Sequence, residues 1–233
     1  MIDIRPFNNL GGADHGWLKA KHHFSFAEYY DPSRVHWGNL RVWNDDTIAP
    51  NTGFPPHPHR DMEIITYVRK GAITHQDNLG NHGRTEAGDV QVMSAGTGIM
   101  HSEYNRERED TQIFQIWIQP TKRGHAPSWG SRPFPKTDRA GRLVTLASGY
   151  ENDTDALPIH TDARVLGATL KAGQSIDYPL GKERVAYLVP ATGAVEIEGT
   201  RVGARDGAAV SEIETLHLKA IEDSEIVLVD AAA

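Results

Sequence analysis

From Leu40 onward the chain is a succession of short apolar runs, "LRVWN", "MEIITYVRKG", "AITHQD", "DVQVMSAG" and "FQIWIQP", rich in β-branched and aromatic residues and separated by turn residues. They recur at a spacing of roughly ten residues with no helical periodicity between them, the pattern of an antiparallel sandwich or barrel. The expected fold class is therefore all-β. A chain of 233 residues can bury one large core or two small ones. "PTKRGHAPSWGSRPFPKTDRAG", Pro120 to Gly141, is crowded with proline, glycine and charge and reads as a connection. A second strand-rich region follows it.

The two regions share an outline. Tyr67-Val68-Arg69-Lys70-Gly71 precedes a hairpin and then the turn at Gly88-Asp89, while Tyr187-Leu188-Val189 leads to Gly193, a hairpin and the turn at Asp206-Gly207. This order suggests an internal duplication, and two stacked β-barrels in one chain would accommodate it.

Composition removes several classes of function. No apolar run approaches the roughly 20 residues that cross a bilayer, so no membrane span is expected. The start, "MIDIRPFNNLGG", lacks the basic and apolar segments of a secretory signal, which makes cytoplasmic residence the expectation. The absence of cysteine removes disulfides, thiolate metal sites and a cysteine nucleophile, so any metal must bind through nitrogen and oxygen. With 31 acidic against 24 basic residues the formal charge is -7, and no basic cluster is long enough to follow a phosphate backbone. Direct nucleic-acid binding is not expected. The mixed-sign run "RERED", Arg106 to Asp110, reads as a solvated loop.

The candidate chemistry lies in the histidines. Five of the twelve fall between His57 and His101, whereas the second region holds only His160 and His217. In "FPPHPHRDME", residues two apart on a strand project from one face, so His57 and His59 point together and Pro58 points away. "HSE" repeats the spacing with His101 and Glu103, after the glycine-rich "AGTGIM". Two such pairs facing one another inside a barrel supply three imidazole nitrogens and one carboxylate oxygen. Such a set leaves positions open on an octahedral ion, which suits Fe(II), while Mn, Ni, Cu and Zn accept the same donors.

These motifs carry a family resemblance. "GFPPHPHRDMEIITYVRKG" resembles the first cupin motif, and "GDVQVMSAGTGIMHSEYN" resembles the second, with Gly98, His101 and Asn105 in G-x-x-H-x-x-x-N spacing. The combination of HPHRDMEIITY with MSAGTGIMHSEYN resembles the pirin family, and "HGWLKAKHHFSFAEYYDP" is similar to its bacterial members with quercetinase activity. The resemblance is detailed over residues 12 to 120 and covers the remainder in outline.

It implies a bicupin, two stacked antiparallel β-barrels of the jelly-roll type: a metal-binding cupin barrel over 1–125, a linker over 126–145 and a degenerate barrel without metal over 146–233. It implies one divalent transition metal, Fe(II) first, held by His57, His59, His101 and Glu103. The general cupin pattern would place the carboxylate ligand at Glu63, which shares parity with His57 and His59; the pirin pattern places it at Glu103. We expect Glu103 as ligand and Glu63 nearby, accepting an imidazole N–H. Only three residues separate Gly53 from His57, fewer than in the usual cupin motif, which puts the geometry of that loop in question.

The implied activity is that of a quercetin 2,3-dioxygenase, a metal-dependent cleavage of flavonols by dioxygen (O2) with release of carbon monoxide; to this, acid–base chemistry adds Glu103 as the expected catalytic base. The alternative is a regulatory metal protein acting through a protein partner. Elsewhere two readings are carried: His15, His22 and His23 with the aromatic cluster "HFSFAEYY" either pack the N-terminal segment against the barrel, the expected role, or line its mouth; His75 is a hydrogen-bonded barrel residue or an inward-facing one; and His217 is structural or exposed. Phe54, Met93 and Met100 are expected either to line an apolar pocket or to fill the core.

Overall fold

A computed structural model describes residues 1–233. The only helices are two single 3₁₀ turns, Phe7–Asn9 and Lys136–Arg139. Everything else regular is strand, and the strands form two seven-stranded and two four-stranded sheets. Each half of the chain contributes one of each, a large sheet closing on a small one. The two large sheets then pack back to back.

In the first half the large sheet runs in the order Ser128–Arg132, Val90–Ser94, Glu63–Lys70, Thr111–Ile118, Leu40–Ile48, Leu18–His22, Gly11–Asp14. Its small partner runs Gly53–His59, Ile99–Tyr104, Ala72–Asp77, His82–Glu86. The second half repeats the plan, with Arg184–Thr192 standing where Glu63–Lys70 stands and Thr215–Ala220 where Ile99–Tyr104 stands. Tyr67 and Tyr187 thus occupy equivalent strands, and both are buried in the core between the large sheets.

That shared core explains why the halves cannot be separate bodies. It contains 24 buried residues drawn from both, including Trp43, Phe114, Tyr187 and Val229. Burial of each large apolar side chain is worth about 1.5–3 kcal/mol, and a domain's whole stability is about 5–15 kcal/mol, so exposing this face would unfold either half. Polar ties cross the same interface: Tyr67 donates to Glu225, and His23 Nδ1 lies 2.8 Å from the Tyr187 hydroxyl.

Chain order and sheet membership part company in two places. Ile2–Arg5, expected in the first barrel, pairs with Gly207–Ser211 at the edge of the second half's large sheet. Ser128–Arg132, inside the expected linker, pairs with Val90–Ser94 at the corresponding edge of the first. Each edge strand has one free side, which is why "SWGSR" reaches a sheet despite its weak strand pattern and the prolines around it.

The two barrel interiors differ in kind. That of the second half is a single apolar cluster of 16 residues, among them Leu188, Leu216 and Ile226. That of the first is split into clusters of six and four around Ile113 and Ile64, and between them lie buried polar side chains, including Thr66, Gln91, Glu103 and Gln115.

Candidate metal centre

The small sheet of the first half places the histidines. Gly53–His59 carries prolines at 55, 56 and 58, which lack the N–H of a ladder donor, and this restricts the strand to a sheet edge. It pairs on one side only, with Ile99–Tyr104, in a register that sets His57 opposite His101 and His59 opposite Ile99. The short spacing after Gly53 leaves no loop, because the strand runs unbroken from Gly53 to His59. Gly53 is required there: a Cβ would stand 2.2 Å from the carbonyl oxygen of Glu103.

Alternation then aims the side chains. His57 and His59 are half-buried and Pro58 is exposed; His101 and Glu103 are buried, and Met100 is exposed. The donor nitrogens of His57, His59 and His101 lie within 4.8 Å of one another. A second group, within the same distance, joins His101 to His75 and Glu103. His101 belongs to both, so Glu103 approaches through His101 rather than beside the His57–His59 pair.

Burial keeps His101 and His59 neutral. The pKa of His101 is pushed down to about 2 by burial, then by the neighbouring His57, His59 and His75; that of His59 is pushed down to about 4 by burial and His57. His57 Nδ1 lies 2.7 Å from the carbonyl of Pro55. A carbonyl only accepts, so Nδ1 is the donor, and a neutral His57 leaves Nε2 bare. Neutral imidazoles with nitrogens converging at this range fit a divalent metal of the nitrogen-binding kind.

Glu103 is held firmly. Gln91 Nε2 donates to Oε1 at 2.6 Å, Gln115 Nε2 donates to Oε2 at 3.0 Å, and the Thr66 hydroxyl donates to Oε1 at 3.4 Å. Burial nevertheless raises its pKa to about 7. Gln115 Oε1 in turn accepts from Trp117 Nε1 at 3.1 Å, and the Trp117 ring stands edge-on to His59 at 5.1 Å with Phe26 edge-on behind it at 5.5 Å. His59 also borders an open depression of about 410 Å³ lined by Pro58, Arg60 and Met100.

Glu63 does not take the role expected of it. Its strand continues Glu63, Ile65, Tyr67 toward the core between the large sheets, while Ile64, Thr66 and Val68 face the barrel. There the Ser94 hydroxyl donates to it at 2.5 Å, and the imidazole near it is His160, Nδ1 at 3.6 Å, not one of the clustered histidines. Parity with His57 and His59 is broken by the turn at Arg60–Met62, where Asp61 adopts a φ of 46° and the chain passes from small sheet to large.

Other expectations divide. Met93 is core, Met100 points outward at 46% exposure, and Phe54 packs edge-on against Trp17 with its ring 6.3 Å from that of His57. His23 and Phe24 enter the shared core, yet Phe26 of the same segment reaches the site's aromatic wall. Asn105 is structural, its amide donating to the carbonyls of Ile48 and Glu109 at 2.9 and 2.8 Å, and Arg106–Asp110 is a loop. His217 lies exposed beside Asp177 Oδ1 at 2.7 Å, on the strand equivalent to that of His101. His75 is fully buried beside His101. The spacing His75-Gln76-Asp77 repeats that of HPH and HSE, and this signal could have marked it.

Two cupin-like sandwiches in one chain, the first with a histidine cluster inside and the second filled by hydrocarbon, define a bicupin with one candidate metal centre. A family model described as pirin matches residues 4–118, and one described as the quercetinase C-terminal cupin domain matches residues 145–231. The chain belongs to the pirin family. A pirin-like protein of Caulobacter vibrioides is 72% identical over 100% of both chains. A quercetin 2,3-dioxygenase of Escherichia coli is 40% identical over 99% of this chain and 98% of its own. The crystal structure of bacterial pirin YhhW from Escherichia coli, in complex with nickel(II), matches with a TM-score of 0.94 and 38% identity, over 100% of this chain and 99% of that one.

Proposed function

We propose that this protein is a metal-dependent dioxygenase of flavonols, cleaving the central ring with dioxygen and releasing carbon monoxide. The observation that carries the proposal is the convergence of His57, His59 and His101 at a half-open barrel edge, with a buried carboxylate of near-neutral pKa beside His101. The names of the Escherichia coli relatives, one a quercetin 2,3-dioxygenase and one a pirin holding nickel(II), support it.

His57, His59 and His101 would hold the ion, Fe(II) in our assignment, and Glu103, which neighbours His101 but is not grouped with His57 and His59, would reach it by turning its carboxylate past His101. When bound, such an ion supplies Lewis acidity that lowers the pKa of a flavonol 3-hydroxyl. Glu103 has a proton affinity matched to accepting that proton near neutral pH, and Gln91 and Gln115 keep its oxygens in place. Trp117 and Phe26 offer aromatic surface for flat rings next to His59. A regulator acting only through a protein partner would be better served by a sealed centre; His57 and His59 are half-buried and reachable.

The test is an assay with quercetin, aerobic and anaerobic, across Fe, Mn, Ni, Cu and Zn, following quercetin absorbance and carbon monoxide together. Loss of quercetin with carbon monoxide released, only in air and only with metal, is the expected result. No carbon monoxide with any of the ions would overturn the proposal.

A further inference from the structure

We propose that His75 and Asp77 form a positioning pair that fixes which nitrogen of His101 is bare, so that the metal site is prepared before any ion arrives. The inference rests on His57 and His101 being ligands and names the residues that orient His101 for that role.

Each step follows from what a partner can accept. Asp77 Oδ1 accepts from the backbone N–H of Leu79 at 2.9 Å and of Asn81 at 3.1 Å. Its Oδ2 lies 2.8 Å from His75 Nε2 and accepts from Asn81 Nδ2 at 2.9 Å. A carboxylate only accepts, so His75 carries its hydrogen on Nε2 and its Nδ1 has a free lone pair. That Nδ1 lies 3.4 Å from His101 Nδ1. A hydrogen bond forms there only if His101 Nδ1 donates, which leaves His101 Nε2 bare. That nitrogen lies 3.1 Å from His57 Nε2, the nitrogen a neutral His57 leaves bare when its Nδ1 donates to Pro55. Two lone pairs facing at this distance repel, and a cation shared between them reverses the sign.

The pair is built to hold this arrangement. The strand register sets Glu103 opposite His75 and His101 opposite Asp77. The side chains of His75 and Asp77 are both fully buried. Trp129 lies flat against the His75 ring, 4.8 Å away and 9° from parallel, which blocks rotation of the imidazole. Gly83 makes room for it, since a Cβ there would stand 2.2 Å from Trp129 Cη2. A packing histidine has no need of one particular tautomer; a ligand to a metal does.

Three variants separate the roles. His75→Phe keeps a ring against Trp129 and removes the acceptor. His75→Asn puts an oxygen in the place of Nδ1 and restores it. In Asp77→Asn the Leu79 and Asn81 amides hold the side-chain oxygen, so the new NH2 donates to His75 Nε2, moves the His75 hydrogen to Nδ1 and drives that of His101 to Nε2. The readouts are nitrogen-15 spectra of the histidines in metal-free protein and titration with nickel(II), with circular dichroism as the check of folding.

Wild type should show His101 protonated on Nδ1, and Asp77→Asn should show it on Nε2. Nickel(II) affinity should fall about 10–100-fold in His75→Phe and Asp77→Asn and recover in His75→Asn. Wild-type affinity in His75→Phe, or an Nε2–H tautomer of His101 in the wild type, would overturn the inference. Should His75→Phe not fold, the tautomer change in Asp77→Asn decides. Should wild type bind no nickel(II), the proposed function falls, and the spectra of the metal-free protein still judge the His75–Asp77 pair.

Discussion

His57 and His101 are direct cross-strand partners, and their Nε2 atoms stand 3.1 Å apart. The backbone holds the Cβ atoms of opposed residues about 4.5–5.5 Å apart, so the two rings stay neighbours. The fold thus maintains an arrangement that a cation relieves.

Binding should therefore register as stability. At a hundredfold excess over Kd, nickel(II) should raise the Tm by about 5–10 °C, from about 2.7 kcal/mol of linkage spread over a protein of this size. The double variant His57→Ala with His101→Ala should lose the shift and keep its circular dichroism spectrum, since neither residue belongs to the apolar clusters. An undiminished shift would remove these nitrogens from the ligand set.

The two glutamates should behave differently. Glu103→Gln should lower quercetin turnover about 100-fold or more, the usual scale for loss of a general base. Glu63→Gln should stay near wild type, because Glu63 faces Ser94 and His160 across the other side of the sheet. The opposite ranking, measured under the same metal loading, would transfer the role to Glu63.

Gly53→Ala should cost about 1–3 kcal/mol in denaturant titration, the scale of overpacking a closed contact. The added Cβ meets the backbone of Glu103 and Tyr104, which cannot rotate away, so the histidine strand must move. Nickel(II) affinity should fall with stability. A stable variant with wild-type affinity would show that the two strands tolerate separation.

Acid sensitivity should trace in part to His23. Its pKa is held well below the ordinary value, first by burial and then by the Arg5 guanidinium. The unfolded chain takes up a proton below about pH 6.5 while the folded chain does not, so the stability is complete above that pH and lost as pH falls, at up to about 1.4 kcal/mol per unit. His23→Asn keeps a polar partner for Tyr187 and removes the titration. Between pH 6.5 and 5 the Tm of wild type should drop relative to the variant by about 3–6 °C per unit. Parallel profiles would mean that His23 stays uncharged in both states or charged in both.

Much of this was legible in the chain itself. The β-branched and aromatic runs "LRVWN" and "FQIWIQP", set between turn residues, read as strands, and HPH and HSE each place two donors on one strand face, because neighbouring Cβ atoms point to opposite sides whatever the partner. The duplicated order of strands and turns likewise shows through Tyr67 and Tyr187. Strand parity, however, ends where the strand ends. The turn at Arg60–Met62 sent Glu63 to the opposite face of a different sheet, and nothing local to "HRDME" carries that information. His75 could be assigned only once register set it opposite Glu103, and Ile2–Arg5 and Ser128–Arg132 found their sheets through edges made by distant strands. Side-chain direction within a strand is a covalent property of the backbone. Which strands meet, and which face becomes interior, is decided by burying the apolar surface of the whole chain at once.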